Sequence, residues 1–397
     1  MSKPKTIDDR FVYTGERRKY VSFPLGGIGT GSVSLTGSGR LVDWSIRNRP
    51  AIGQFNGYSH FAIKAEQGGK LLEARVLNGP YEGTPTGSLS ARKFDGFGFG
   101  ANRDSLAGVP HFDDVTFIGR FPIAELEFHH GSFPGQVRMT AFSPFIPHGD
   151  RDSSMPVALF AVSVENDTGA PIDYTIASTL GNYGCDSGIH TFSRKERFSI
   201  LHFISADTGR PEEQRGDLAL ITDGDDVEHV DYHFRGQWFD SLGLYWREFA
   251  RAGRLRERRY NKSRATRNMF EQPEHGTLAV RVRVVPGETR HQRRSFSPIC
   301  NLAKTSRSRS AEFAAFRRER SFDFRSTLAS FTYSMIKGSR FRRCGRGTRT
   351  MWMANSSWAH RGLISLAHMH SALPDSPEDN RFGSAGWRLL ADWWLSA

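Results

Sequence analysis

Between about residue 11 and residue 290 the chain alternates apolar and polar positions over short stretches that turn-forming clusters interrupt. At 123–128, Ile123, Glu125 and Glu127 run out of phase with Ala124, Leu126 and Phe128, the two-faced pattern of an antiparallel strand. The stretch VALFAVSV at 157–164 is more continuously apolar, as a strand covered on both faces would be. It runs into NDTGAP at 166–171, after which Ile172, Tyr174 and Ile176 resume the alternation; this order predicts a β-hairpin. A last strand, LAVRVRVV at 278–285, sends its arginines to one side and its valines to the other before a Pro-Gly turn. Many short strands at this spacing predict an all-β fold, a large antiparallel β-sandwich. One helix stands out within it. Trp238, Leu242, Tyr245, Trp246 and Phe249 fall at helical spacing, with Asp240, Arg247, Glu248 and Arg251 between them. This reads as a helix packed on the sandwich, the alternative being an aromatic platform for a sugar.

After residue 290 the texture changes to arginine, serine and glycine runs such as KTSRSRS at 304–310 and RFRRCGRGTR at 340–349, with little periodicity. The net charge of +12 belongs to this region: residues 291–350 carry 15 Lys and Arg against 3 Asp and Glu, whereas residues 1–290 carry 36 against 35. The charge therefore says nothing of nucleic-acid binding by the sandwich, and no specific nucleic-acid partner is expected. The three cysteines, Cys185, Cys300 and Cys344, form neither a disulfide framework nor a zinc spacing, which fits a reducing compartment. The N-terminus has no apolar h-region and no run approaches a membrane span, so a cytoplasmic location is expected. The glycosylation-like triplets at Asn166, Asn261 and Asn355 are then read as chance.

The glycine run GGIGTG at 26–31 invites a dinucleotide-binding reading, but the third glycine of that fingerprint would stand at Ser32, and a strand follows rather than a helix. These glycines instead predict a positive-φ path or a close approach to another surface. His229 and His233 have the spacing of two helical zinc ligands but lack the glutamate of HExxH, and the pair His129 and His130 reads as exposed. No metal or cofactor is expected. Carboxylates such as Asp43, Asp113, Asp114, Asp223, Asp225, Asp226 and Glu248 are plentiful, but spacing alone does not show which of them meet. A glycosidase needs two facing across the scissile bond.

The stretch FPLGGIGTG at 23–31, followed by DWSIRNRP at 43–50, resembles the N-terminal domain of glycoside hydrolase family 116, which includes non-lysosomal glucosylceramidases and bacterial β-glucosidases. The resemblance continues through GRFP at 119–122, AFSPFIP at 141–147, DSSMP at 152–156, YHFRGQW at 232–238, YWREF at 245–249, EHGTL at 274–278 and PGE at 286–288. It implies a β-sandwich that partners an (α/α)6 barrel, with both catalytic carboxylates and most glucose-binding groups in the barrel and a retaining mechanism. One carboxylate would attack the anomeric carbon, and the other would protonate the leaving oxygen and then activate water.

No segment of this chain matches the barrel's catalytic motifs, so the expectation is an N-terminal tail over 1–10, the sandwich over 11–290, and a basic segment of uncertain fold over 291–397. Two readings of that last segment stay open: the product of a shifted reading frame, or a genuine basic tail that binds polyanions. For function, the first reading is part of a retaining β-glucosidase that is inactive without its barrel, taking a β-glucoside only when a catalytic domain is supplied. The others are a stand-alone carbohydrate-binding module and a nucleic-acid binder acting through the basic tail. No catalytic residue is assigned. Gly27, Gly29, Gly31, Trp44, Arg47 and Asn48 are the candidates for facing the barrel or flanking the substrate, or alternatively for closing the sandwich. An uncovered barrel-facing surface would promote self-association.

Overall fold

The computed structural model describes residues 9–46, 50–80, 103–143, 145–183, 188–205, 216–234, 241–256 and 274–297. Their strands are β1 (Val12–Tyr13), β2 (Ser22–Leu25), β3 (Ser32–Thr36), β4 (Leu41–Ser45), β5 (His60–Gln67), β6 (Lys70–Val76), β7 (Asp114–Arg120), β8 (Ile123–His129) and β9 (Gln136–Phe142). They continue with β10 (Ala158–Glu165), β11 (Ile172–Gly181), β12 (Gly188–Lys195), β13 (Phe198–Ser205), β14 (Leu218–Thr222), β15 (Asp226–Val230), β16 (His275–Val284) and β17 (Thr289–Ser297). A short helix α1 (Asp150–Ser153) precedes β10, and α2 (Ser241–Phe249) lies between β15 and β16. No helix among the described residues is long and apolar enough to cross a membrane.

A nine-stranded sheet runs β1-β7-β8-β9-β10-β17-β14-β13-β12, a five-stranded sheet runs β15-β16-β11-β5-β6, and β2-β3-β4 form a third. One apolar core joins all three. Leu126, Met139, Val162, Leu201 and Leu220 from the nine-stranded sheet meet Phe61, Ile63, Ile176 and Leu278 from the five-stranded sheet, with Leu25, Leu35 and Trp44 alongside. The alternation in β8 does what its period demands: Ala124, Leu126 and Phe128 are buried while Glu125 is exposed. The fold is the expected all-β sandwich.

The outer face of the five-stranded sheet is also buried, because α2 and residues 103–112 cover it. Strand register arranges that face in rows. Ala62, Ala177 and Ala279 pair across β5, β11 and β16, and their small side chains seat Leu242, Tyr245 and Phe249 of α2. On one side of this row stand His60, Thr179 and Thr277; on the other stand Lys64, Thr175 and Arg281, then Glu66, Asp173 and Arg283. The helix predicted from aromatic spacing is thus packed on the sandwich, and Trp238 lies outside the described residues.

Lys64 and Glu66 are fully buried, which is rare for charged side chains unless they are paired and bonded. Here they are. The Lys64 ammonium donates to the Arg251 carbonyl at 2.7 Å and the Gly253 carbonyl at 2.5 Å, and lies 2.7 Å from Glu66 Oε1. Glu66 also accepts the Gly253 amide at 3.0 Å and the Arg281 guanidinium at 2.8 Å. The chain leaving α2 is bound to the sheet by these bonds.

The sequence predicted a hairpin between β10 and β11, and the structure shows otherwise. β10 pairs with β9 and β17, β11 with β5 and β16, so residues 166–171 carry the chain from one sheet to the other. Both strands are buried on two faces, and a period of two is blind to which neighbour a strand takes. The arch is held by Asn166, whose amide donates to the carbonyls of Ala170 at 2.9 Å and Val284 at 2.8 Å while its oxygen accepts the Thr168 amide and hydroxyl. Its backbone bonds Gly287 and Glu288, tying this arch to the parallel crossing from β16 to β17. A fully buried, doubly donating Asn166 is no glycan acceptor in the folded chain; Asn261 and Asn355 lie outside the described residues.

Residue 290, where the sequence pattern was read to end, falls inside β17. That strand pairs with β10 from Glu165↔Thr289 to Ala158↔Phe296, and with β14 from Thr222↔Arg294 to Ala219↔Ser297. Its arginines hid it from a search for apolar alternation. Replacing Asn166 with Ala removes two donors, one from the buried Val284 carbonyl and one from the part-buried Ala170 carbonyl. The expected outcome is a loss of about 2–3 kcal/mol, read as a lower urea midpoint at unchanged slope.

Candidate functional site

The segments that resemble the glycosidase domain converge at two places. The first surrounds the glycine loop between β2 and β3. Gly26, Gly29 and Gly31 have φ of 144°, 73° and 91°, conformations that favour glycine. Gly26 N donates to Ser143 Oγ at 2.7 Å, and Ile28 N to the Ser153 carbonyl at 2.8 Å. Gly27 is there for space: a Cβ on it would lie 2.2 Å from the Met155 carbonyl oxygen. Gly31 likewise approaches the Ser45 carbonyl, at 2.8 Å from its own would-be Cβ. The loop is thus clamped between the residues of AFSPFIP and DSSMP on one side and the end of β4 on the other. The close approach was legible from glycine content; Met155 and Ser153 as its cause were not.

Next to this loop, Asp43 takes a φ of 53° and is held there by its own carboxylate, which accepts Ser22 Oγ at 2.7 Å and Gly53 N at 2.6 Å. Trp44 is fully buried, stacked 6.3 Å from Tyr183 at 19°. Its place is in the core, so of the predicted candidates Gly27, Gly29, Gly31 and Trp44 are brought together, but Trp44 has no surface to offer. Arg47 and Asn48 lie outside the described residues. The cavity lined by Gly26, Thr30, Gly31, Ile46 and Pro156 holds about 10 Å³, room for at most a single water and none for a sugar ring. What the loop shows to solvent is Ile28, 53% exposed.

The second convergence joins residues 232–234, YWREF and EHGTL on the outer face of the five-stranded sheet. The Tyr58 hydroxyl meets His233 Nδ1 at 3.0 Å, and His233 Nε2 meets Thr277 Oγ1 at 2.7 Å. Thr277 Oγ1 lies 2.7 Å from Thr179 Oγ1, which donates to the Tyr245 hydroxyl at 3.2 Å. Rings stack through the same space: Tyr58 on His275 at 3.6 Å and His233 on Tyr245 at 4.3 Å. Burial pushes the Tyr245 phenol up to about 12 despite its bonds to the two threonines. Tyr245 and Phe249 face the sheet, which leaves neither for a sugar platform.

His229 and His233, read at zinc spacing, part company. His229 lies in β15, stacked on Phe192 at 3.8 Å and 2.9 Å from Asp231 Oδ1, whereas His233 belongs to the buried chain above. Among the described residues no group of three or more His, Cys, Asp or Glu side chains is placed to hold a metal ion. His129 is exposed, but His130 is half-buried, 3.4 Å from Asp113. Asp114 pairs with Arg18, and Asp226 shares Arg254 with Glu228. A groove of about 740 Å³ lies elsewhere, along the β8–β9 turn, and is lined by His129, Ser132, Arg138 and Asp167.

Residues 22–320 match the family described as beta-glucosidase 2, glycosyl-hydrolase family 116, N-terminal domain. The chain belongs to this family. The match passes residue 290, where the resemblance was read to stop, and so includes β17. No curated protein sequence matches. Among solved structures, one similar chain is a candidate kojibiose phosphorylase from the human microbiome, at 11% identity and a TM-score of 0.33, over 75% of this chain and 32% of that one. This chain thus spans about a third of that protein's length.

The two glycines make opposite cases for substitution. Gly27→Ala, which forces a methyl group into the Met155 backbone, is expected to cost about 1–3 kcal/mol or prevent folding. Gly29→Ala, with open space around it, is expected to cost only about 1 kcal/mol for its positive φ. Thermal melts of the two variants check the order.

Proposed function

We propose that this domain is the non-catalytic β-sandwich of a glucosylceramidase-like retaining β-glucosidase whose two carboxylates belong to a separate barrel. The observation that carries the reading is the family match over residues 22–320. The chemistry of the described residues supports it. At the glycine loop and beneath α2, the Asp43 carboxylate and the Tyr58, His233, Thr277 and Thr179 side chains bond internally, and the cavity beside the loop is far too small for glucose. In this reading the loop at 26–31 works by shape, presenting Ile28 on a backbone that is fixed from both sides. The test is a chromogenic aryl β-glucoside offered to this chain alone. Turnover at background is expected; robust turnover would show that the chain carries its own acid and nucleophile.

A second reading, a carbohydrate-binding module, draws on the polar groove beside the β8–β9 turn. Saturable binding of a β-glucoside without turnover, abolished by Arg138→Ala, would favour it.

The partner proposed for the sandwich is the catalytic domain, or in its absence a second copy of the chain. Ile28, Ile52 and Phe121 are 53%, 62% and 37% exposed, large apolar side chains of the kind an interface covers. Sedimentation of the isolated chain is expected to show self-association that weakens in Ile28→Ser and Ile52→Ser. A clean monomer at all concentrations would count against an uncovered interface.

A further inference from the structure

The row His60, Thr179 and Thr277 is where the first half of α2 meets the sheet, and it has no place for an added proton. His60 is 2% exposed. Its Nδ1–H donates to the Tyr58 carbonyl at 2.6 Å, which makes Nε2 the acceptor nitrogen, and Nε2 has no hydrogen-bond partner. The ring lies edge-on to Tyr245 of α2, with centroids 5.6 Å apart at 69°. Tyr245 is in turn fixed by stacking on His233 and by the Thr179 hydroxyl.

We propose that this row is an acid-sensitive latch: a proton on His60 Nε2 is incompatible with a seated α2, so acid favours a state in which α2 leaves the outer face while the two sheets stay paired. The separation is built into the packing, because α2 rests on its own apolar cluster and the sheets meet through another.

The groups facing His60 reinforce this. They are Tyr245 from α2, Tyr58, and His111 from the segment before β7, with His233 and His275 stacked behind on Tyr58. Further along β5 stand Lys64 and Glu66, and Glu66 is already bound by Lys64 and Arg281. None of the groups facing His60 is a carboxylate that could accept a proton from Nε2. Burial first of all, with His111 adding to it, holds the His60 imidazole down at about 4 against the ordinary 6.5, although the bond to Tyr58 pulls the other way. With α2 displaced the ring is wet and titrates normally. The ratio of open to seated helix therefore rises about tenfold per pH unit from about 6.5 down to about 4 and levels off below, about three hundredfold in all.

The experiment places a cysteine at Leu242, 4% exposed on α2, in the full chain with Cys185, Cys300 and Cys344 changed to Ser. Labelling by a dithiodipyridine is followed from pH 7 to pH 3.5, each rate divided by that of an unstructured cysteine peptide at the same pH, with strand circular dichroism recorded alongside. The expected result is a relative rate that climbs about two hundredfold while the strand signal holds. In His60→Asn, which keeps an N–H for the Tyr58 carbonyl but does not titrate, the rate should stay flat. A flat rate in the parent, an equal climb in His60→Asn, or loss of the strand signal in step with labelling would overturn the latch. Should either substitution prevent folding, hydrogen exchange of the 241–249 amides in the unmodified chain, normalised to the unfolded peptide, replaces labelling; the same slope is expected, and its absence overturns the proposal.

Discussion

Two charges sealed under a helix set the architecture of the five-stranded sheet. Lys64 and Glu66 lie two residues apart on one face of β5, so both point away from the sandwich core and both need partners that water would otherwise supply. The backbone after α2 supplies them, with the carbonyls of Arg251 and Gly253 for the ammonium and the Gly253 amide for the carboxylate. Arg281 completes the set. Removing one member of such a pair strands the other, which typically costs several times more than the pair contributes. The pair thus gives α2 a defined end point. The row of alanines beneath the helix then lets it sit close, and the apolar faces of Leu242, Tyr245 and Phe249 follow from that seat.

Much of this was legible in the sequence, for identifiable reasons. The alternation in β8 and the two-faced valines and arginines of β16 record strands whose faces differ, and the helix carries its own period. What failed to show was connectivity. NDTGAP has the composition of a hairpin turn, yet its first residue spends one amide hydrogen on Ala170 within the arch and the other on Val284 of the neighbouring strand, and no local pattern announces a partner more than a hundred residues away. β17 was missed because its side chains are arginine-rich, although its backbone pairs as regularly as any other strand. At the candidate site, the glycines declared that something comes close without naming it. Trp44, chosen for its place in a motif, turned out to be core.

The family assignment and the physics meet in where the motif segments go. One set fixes the glycine loop from both sides; the other builds a buried chain of hydroxyls and imidazoles between sheet and helix. Both are devices for holding shape, which fits the proposal of a non-catalytic domain. The imidazoles bring a sensitivity that purely apolar packing would lack, since their bonds depend on remaining neutral.

β17 gives the nine-stranded sheet a seam. It stands between β10 and β14, and no other described strand joins the block β1-β7-β8-β9-β10 to the block β14-β13-β12. The strand that closes the sheet is therefore the last of the described strands to leave a ribosome. Until it arrives, β10 and β14 each present a long unsatisfied edge, the kind that recruits foreign strands. Closing the seam late also demands contacts between distant parts of the chain, which slows folding. A nascent chain of this domain is thus exposed for as long as its final strand is pending, and its yield in a cell depends on how well those two edges are shielded in the interval.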